Sequence, residues 1–243
     1  MSAFAADAEL AARLAEAGGQ IALAVRTSGA FSGAALGDAG DQIVNAFLTH
    51  ALREQRPADG LLSEESRDTA DRLTKSRCWV IDPIDGTNEY AEERHDWAIH
   101  VGLAVDGEPA AGAVALPARG LVLCSSQPAP LSSLPQRPRM VVSRSRPAAE
   151  TKRVAEALDA DTIPLGSAGA KAMAVALGEA EVYLHSGGQH EWDSCAPVAV
   201  ALAHGLHCSR LDGSPLRYNQ ADTYLPDLLI CRPEVAERVL DAI

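Results

Sequence analysis

From Asp7 to Arg26 apolar residues return at helical intervals, as Leu10, Leu14, Ala17, Ile21 and Val25. With Asp7 as a cap, this spacing predicts a first helix. Ser28 to Gly40 is Gly-rich and polar and reads as a flexible connection. Asp41 then opens a predicted second helix with Val44, Phe47, Leu48, Ala51 and Leu52 as its buried stripe, and the two helices are expected to pair. From Gly60 the texture shortens to strands. Leu61-Leu62 and Trp79 to Ile81 are brief apolar runs that end in carboxylates. Trp97 to Val105, Ala110 to Leu116 and Leu121 to Cys124 form a meander, punctuated by Asp106-Gly107 and Pro117. The Pro- and Ser-rich stretch from Ser125 to Pro138 reads as a surface connection between two lobes, 1–124 and 139–243, of one domain. Beyond it strands and helices alternate. Strands are predicted over Met140 to Val142, Thr162 to Leu165, Val182 to Leu184, Leu206 to Ser209 and Leu228 to Cys231. Helices are predicted over Ala148 to Leu158, Ala168 to Leu177 and Asp193 to Ala203, with a last one from Glu234. The mixture implies a layered α+β fold.

Composition narrows the function. Hydrophobic residues make up 47% of the 243 residues and aromatics 4%, so the core is built from Ala, Val, Leu and Ile. The net charge of −12 argues against a nucleic-acid polymer or an anionic membrane as partner. It leaves room for an anionic substrate, because carboxylates can recruit divalent cations that carry the positive charge. Cys78, Cys124, Cys195, Cys208 and Cys231 are odd in number and scattered, and read as reduced thiols. The start, Met1 to Asp7, is too short and acidic for a signal peptide, so a cytoplasmic protein is expected.

Three segments share one design, an apolar strand that ends in acids where a helix is about to begin. They are Leu62-Ser-Glu-Glu65, Ile81-Asp-Pro-Ile-Asp-Gly-Thr87 and His190-Glu-Trp-Asp-Ser194. Strand ends are rigid supports, and Pro83 keeps Asp82 extended, so Asp82 and Asp85 can face one cavity. An all-oxygen donor set suits Mg²⁺. Gly86-Thr87, Ser194-Cys195 and Gly166-Ser-Ala-Gly-Ala-Lys171 are predicted helix starts, whose free N–H groups favour an anion. Metals beside such N-termini would make a site for phosphate ester hydrolysis. One acidic pair alone would read as a solvated turn, and it is the repetition at three strand ends that argues for a site. His204-x-x-His207-Cys208 straddles a helix stop at Gly205 and reads as ordinary packing, as do His95, His100, Trp79 and Trp97.

Asp82-Pro-Ile-Asp-Gly-Thr87 together with Trp192-Asp-Ser-Cys-Ala-Pro197 resembles the inositol monophosphatase superfamily of metal-dependent, lithium-sensitive phosphatases. The resemblance covers nearly the whole chain and implies an alternating α/β/α/β/α sandwich of the inositol monophosphatase / fructose-1,6-bisphosphatase type. By that resemblance Glu64, Asp82 and the carbonyl of Ile84 bind the activating Mg²⁺, and Asp82, Asp85 and Asp193 bind a second. Thr87 orients the attacking water, and Asp41 matches an aspartate that helps hold a third, weaker metal in related enzymes. Water activated by metal would attack phosphorus in line while a second ion stabilises the leaving oxygen.

Gly86-Thr-Asn-Glu-Tyr90 and Asp212-Gly-Ser-Pro-Leu-Arg-Tyr218 are similar to the CysQ branch, and Pro117-Ala-Arg-Gly120 and Tyr183-Leu-His-Ser-Gly-Gly188 to its actinobacterial type. That branch consists of 3′(2′),5′-bisphosphate nucleotidases, which act on a by-product of sulfate assimilation. There Ser167 and Lys171 match positions that contact the nucleotide's other phosphate or sugar, beside Gly86, Thr87 and Asp193. His185 stands where some nucleotidases have Arg, and Ser63 where inositol monophosphatases usually have Gly. An inositol or sugar-phosphate (fructose 1,6-bisphosphate) phosphatase is the alternative within the fold. An inactive metal-binding or regulatory relative is the alternative of a different functional class, and it would have lost an acid or Thr87. A small phosphate ester is the expected partner. Dimers are common in the superfamily, so the resemblance allows a homodimer, with no interface legible in the sequence.

Overall fold

The computed structural model describes residues 3–243; Met1 and Ser2, at the head of the segment read above for targeting, lie outside the described residues. Helix α1 (Ala5–Thr27) follows its apolar period closely. Helix α2 (Ala34–Gln55) starts seven residues ahead of Asp41, so the second half of the Gly-rich passage is helix rather than connection. Its glycines are contact points. A Cβ at Gly37 would stand 2.7 Å from Thr87 Cγ2, and one at Gly40 2.7 Å from both Ile84 Cδ1 and Tyr90 Cε1. The helix can lie on the Ile84–Tyr90 segment only with small residues there, and a composition that suggests a loop reflects that close approach. Asp41 consequently sits inside α2, on its buried side.

The first sheet is a meander of β1 (Gly60–Ser63), β2 (Arg77–Asp85), β3 (Ala98–Val105), β4 (Glu108–Leu116) and β5 (Leu121–Cys124), in that spatial order. Only β1 and β2 run parallel. The second sheet contains β6 (Arg139–Ser143), β7 (Asp161–Leu165), β8 (Val182–His190), β9 (His207–Ser209) and β10 (Tyr224–Cys231), in the order β7-β6-β8-β10-β9. Residues 125–138 carry no helix or strand and join the two sheets.

Alternation along the strands assigns the layers. Trp79, Ile81, Ile99 and Val101 pack with α1 and α2. Cys78, Val80 and Val114 face α5 (Ala168–Ala176) and α6 (Glu191–Ala203), which also pack on Val141, Tyr183, Leu228 and Ile230 of the second sheet. Met140, Val142, Val182 and Leu229 pack with α4 (Thr151–Leu158) and α7 (Pro233–Asp241) on the far side. Five layers result, helices–sheet–helices–sheet–helices, which is the expected sandwich. Among the described residues no helix is long and apolar enough to cross a membrane.

The middle layer positions the site. Helix α6 lies directly on β3 and β4, because a Cβ at Gly102 would come 2.8 Å from the Ala196 nitrogen and one at Gly112 3.1 Å from its Cα. Its N-terminus, with Asp193, is thereby held over the end of β2. The short helix α3 (Thr87–Ala91) starts just past β2. Glu64 follows β1 in a turn rather than at a helix start, unlike the other two acidic segments.

Candidate active site

Strand β2 carries the central acids on a bulge. Asp82 pairs with His100 and Asp85 with Ala98, so three steps along β2 oppose two along β3. In an unbroken strand residues three apart point to opposite faces, and the extra residue turns both carboxylates to one side. Pro83 is tolerated there because a bulge leaves an N–H outside the ladder. Asp82, Asp85 and Asp193 bring one oxygen each within 4.8 Å of one another. Asp82 is 1% exposed, and its Oδ1 is buried with no hydrogen-bond partner among the described residues. Burial, then Glu64 and Asp85, raise its pKa well above the carboxylate range. Asp193 accepts the His190 N–H at 2.6 Å, which caps α6. Burial, then Asp85, push it up to about 6.

Asp85 behaves differently. Its Oδ1 accepts the Ala168 N–H at 3.1 Å and its Oδ2 the Gly169 N–H at 2.5 Å, so it caps α5 across 83 residues of sequence. His100 Nε2 lies 3.1 Å from Oδ2, and the other ring nitrogen meets the Trp192 carbonyl at 3.0 Å. Burial alone would raise Asp85, but His100, the Gly169 N–H and Lys171 hold it below the ordinary carboxylate value. His100 itself is fully buried. Burial opposes its charge, yet Asp85 raises its pKa overall.

Around this core Thr87 Oγ1 lies 3.0 Å from Asp41 Oδ2 and 3.2 Å from the Ile84 carbonyl, donating its one proton to them. The Ile84 carbonyl thus sits at the site while its side chain joins the core of α1 and α2. Asp41 is 6% exposed and its Oδ1 has no hydrogen-bond partner among the described residues. Burial, opposed by Thr87 and aided by Glu65, raises it to about 7. Glu64 is exposed in the turn after β1 and lines the mouth of the site. Partial desolvation of its carboxyl, then Asp193 and Asp41, raise it to about 7.

A cavity of about 550 Å³ contains Glu64, Asp85, Gly86, Thr87 and Asp193, and also Ser167, Lys171 and His185. A groove of about 560 Å³ along α4, lined by Arg137, Thr151 and Lys152, has no acidic cluster, so chemistry rather than size separates the two. Ser167 Oγ caps α5 by accepting the Ala170 N–H at 3.0 Å. Lys171 is 3% exposed and donates to the Gly166 and Ser167 carbonyls, and burial lowers its pKa to about 8. His185 Nε2 is buried without a partner, and burial followed by Lys171 lowers the ring's pKa.

Two of the anion sites expected at helix starts are already filled by the protein. Asp85 takes the N–H groups opening α5, and Asp193 with His190 forms the capping box of α6. Ser194 is fully buried, with its Oγ 3.1 Å from Tyr218 OH. Sequence reading missed His100, placed with structural residues, and Asp96, whose carboxylate and carbonyl fasten Gly166 and Ser167. The one polar side chain in the apolar strand Ala98–Val105 is the available signal for His100. His204 and His207 bind Val200 and Ser209 within their own elements.

Oxygen donors crowded enough to retain protons, two of them with a buried oxygen lacking a partner, suit a hard divalent cation that would offset their charge. An α/β/α/β/α sandwich with such donors between its sheets is the architecture of a metal-dependent phosphatase. The sequence matches the inositol monophosphatase family over residues 3–242, and the chain belongs to that family. It is 47% identical over 252 aligned positions to the 3′-phosphoadenosine 5′-phosphate phosphatase of Mycobacterium leprae, across 98% of this chain and 93% of that protein. The Mycobacterium tuberculosis protein of the same name is 51% identical over 219 positions, covering 86% and 82%. CysQ from Bacteroides thetaiotaomicron superposes with a TM-score of 0.82 over 95% of this chain and 98% of that chain, at 22% identity.

Proposed function

We propose that this chain is a Mg²⁺-dependent 3′(2′),5′-bisphosphate nucleotidase that converts 3′-phosphoadenosine 5′-phosphate to AMP and phosphate. The observation that carries the reading is the Asp82–Asp85–Asp193 cluster beside the Thr87–Asp41 pair, in a chain about half identical to phosphatases of that nucleotide. Asp82, Asp85, Asp193, Glu64 and the Ile84 carbonyl would hold the ions, and Asp41 would help hold a third. Bound Mg²⁺ would neutralise phosphate charge and acidify water. Thr87, hydrogen-bonded to Asp41 and the Ile84 carbonyl, would position the attacking water. No side-chain nucleophile is required, because metal-activated water supplies the attacking oxygen.

The test is phosphate release from 3′-phosphoadenosine 5′-phosphate, inositol 1-phosphate and fructose 1,6-bisphosphate with Mg²⁺, with excess chelator and with Li⁺. The nucleotide is expected to be the preferred substrate. Chelator should abolish turnover, and lithium should inhibit at roughly submillimolar to millimolar levels by competing for an all-oxygen site. Full turnover in chelator would remove the metal from the reading, and preference for inositol 1-phosphate would remove the nucleotide.

A further inference from the structure

The cavity draws its charges from two sheets. Glu64, Asp85 and Asp193 come from the ends of β1 and β2 and from the start of α6. Arg144 and Arg146 come from the loop that follows β6 of the second sheet, and Lys171 from α5. These cations are not equally available. Arg144 is held by Glu89 at 2.8 Å and Glu92 at 3.1 Å. Lys171 is buried on the carbonyls of Gly166 and Ser167, with its ammonium 5.4 Å from the Tyr183 ring centre. Arg146 has no carboxylate partner among the described residues.

A solvated surface arginine is the competing explanation, and two observations weigh against it. The cavity lining holds five acids, Glu64, Asp85, Glu89, Glu92 and Asp193, in a chain with 33 acids and 21 bases, yet none pairs with Arg146. The loop is also braced. The Arg144 N–H donates to the Leu165 carbonyl at 2.9 Å, the Arg146 N–H donates to Ser143 Oγ at 3.1 Å, and Ala148 beyond is buried. Arg146 is therefore presented at the cavity by a fixed backbone with its donors unspent. A guanidinium offers a paired fork of donors that matches phosphate geometry.

We propose that Arg146 is a specificity-determining residue that binds the second, uncleaved phosphate of a bisphosphorylated substrate while the carboxylate end of the cavity takes the phosphate that is hydrolysed. The inference rests on the nucleotidase reading above. It also assigns the uncleaved phosphate to the loop after β6 rather than to the sequestered Lys171.

The experiment compares kcat/KM for 3′-phosphoadenosine 5′-phosphate and adenosine 3′-monophosphate in the wild-type, Arg146→Gln and Arg146→Lys enzymes. The ratio of bisphosphate to monophosphate is expected to fall roughly ten- to a hundredfold in Arg146→Gln, mainly through KM, with partial recovery in Arg146→Lys. Equal losses on both substrates, or an unchanged ratio, would overturn the proposal while leaving the nucleotidase reading intact. If the wild-type enzyme does not cleave the nucleotide, that reading fails by itself. Arg146 is then tested by the same ratio for fructose 1,6-bisphosphate and fructose 1-phosphate, where an unchanged ratio overturns it. Arg146 is exposed, so loss of fold does not confuse the comparison.

Discussion

Asp82 and Thr87 do opposite things to the protein that carries them. Asp82 places a carboxylate in full burial, with one oxygen unpartnered and other acids around it, so without metal it opposes folding. Asp82→Asn is expected to cut kcat/KM by at least about 10³-fold, some 4 kcal/mol of transition-state stabilisation. The same change should leave the melting temperature of the chelated protein unchanged or higher. A variant that lost activity and metal-free stability together would mean that Asp82 is structural. Thr87 costs nothing comparable, since its hydroxyl is satisfied by Asp41 and the Ile84 carbonyl. Thr87→Ala should lower kcat by about 10²-fold with little change in KM, and Thr87→Ser should restore most of it. A normal kcat in Thr87→Ala would take the residue out of the chemistry.

At the scale of elements the site depends on how closely α2, α5 and α6 approach the first sheet, and this is where sequence and structure part. The apolar periods were sufficient for α1, for the meander and for the alternation after Pro138, and the acids at the ends of β2 and β8 were legible as a group. The early start of α2 was not, because Gly37 and Gly40 serve contacts to Thr87, Ile84 and Tyr90 that only the folded chain shows. The capping of α5 by Asp85 was equally hidden, since its partners lie 83 and 84 residues away. Gly169 tests this joint. A Cβ there would fall 2.1 Å from His100 Nε2, 2.9 Å from Ala98 Cβ and 3.0 Å from Asp85 Oδ2. Gly169→Ala should destabilise by about 1–3 kcal/mol through overpacking and weaken metal activation by displacing Asp85. Thermal melts and the Mg²⁺ dependence of kcat would show both, and a variant with native melting and native Mg²⁺ dependence would mean that α5 does not hold Asp85.

For the whole molecule, the acids at the site couple folding to pH and to metal. Asp41 and Glu64 lie near 7, Asp193 near 6 and Asp82 well above its ordinary value, whereas the unfolded chain releases these protons near 4. The folded protein thus holds protons that the unfolded chain has lost. Their contribution is fully present below the unfolded values and disappears as pH rises through the folded ones. His100, raised by Asp85, and Glu191, raised by burial to about 7, act in the same direction. His185 and His207, lowered by burial, oppose it but are outnumbered, and depressed Asp85 opposes it only near pH 4. Metal-free protein is therefore expected to melt at progressively lower temperature from pH 5 to pH 8. A divalent cation needs the deprotonated carboxylates, so 10 mM-scale Mg²⁺, roughly, should raise the melting temperature much more at pH 8 than at pH 5. The overall charge of −12 also penalises compactness at higher pH, and Asp82→Asn separates the two effects. If the cluster is the cause, that variant should lose most of the Mg²⁺ shift and part of the pH dependence, the rest staying with Asp41, Glu64 and Asp193. A Mg²⁺ shift that survives the substitution in full would place the metal linkage outside the cluster.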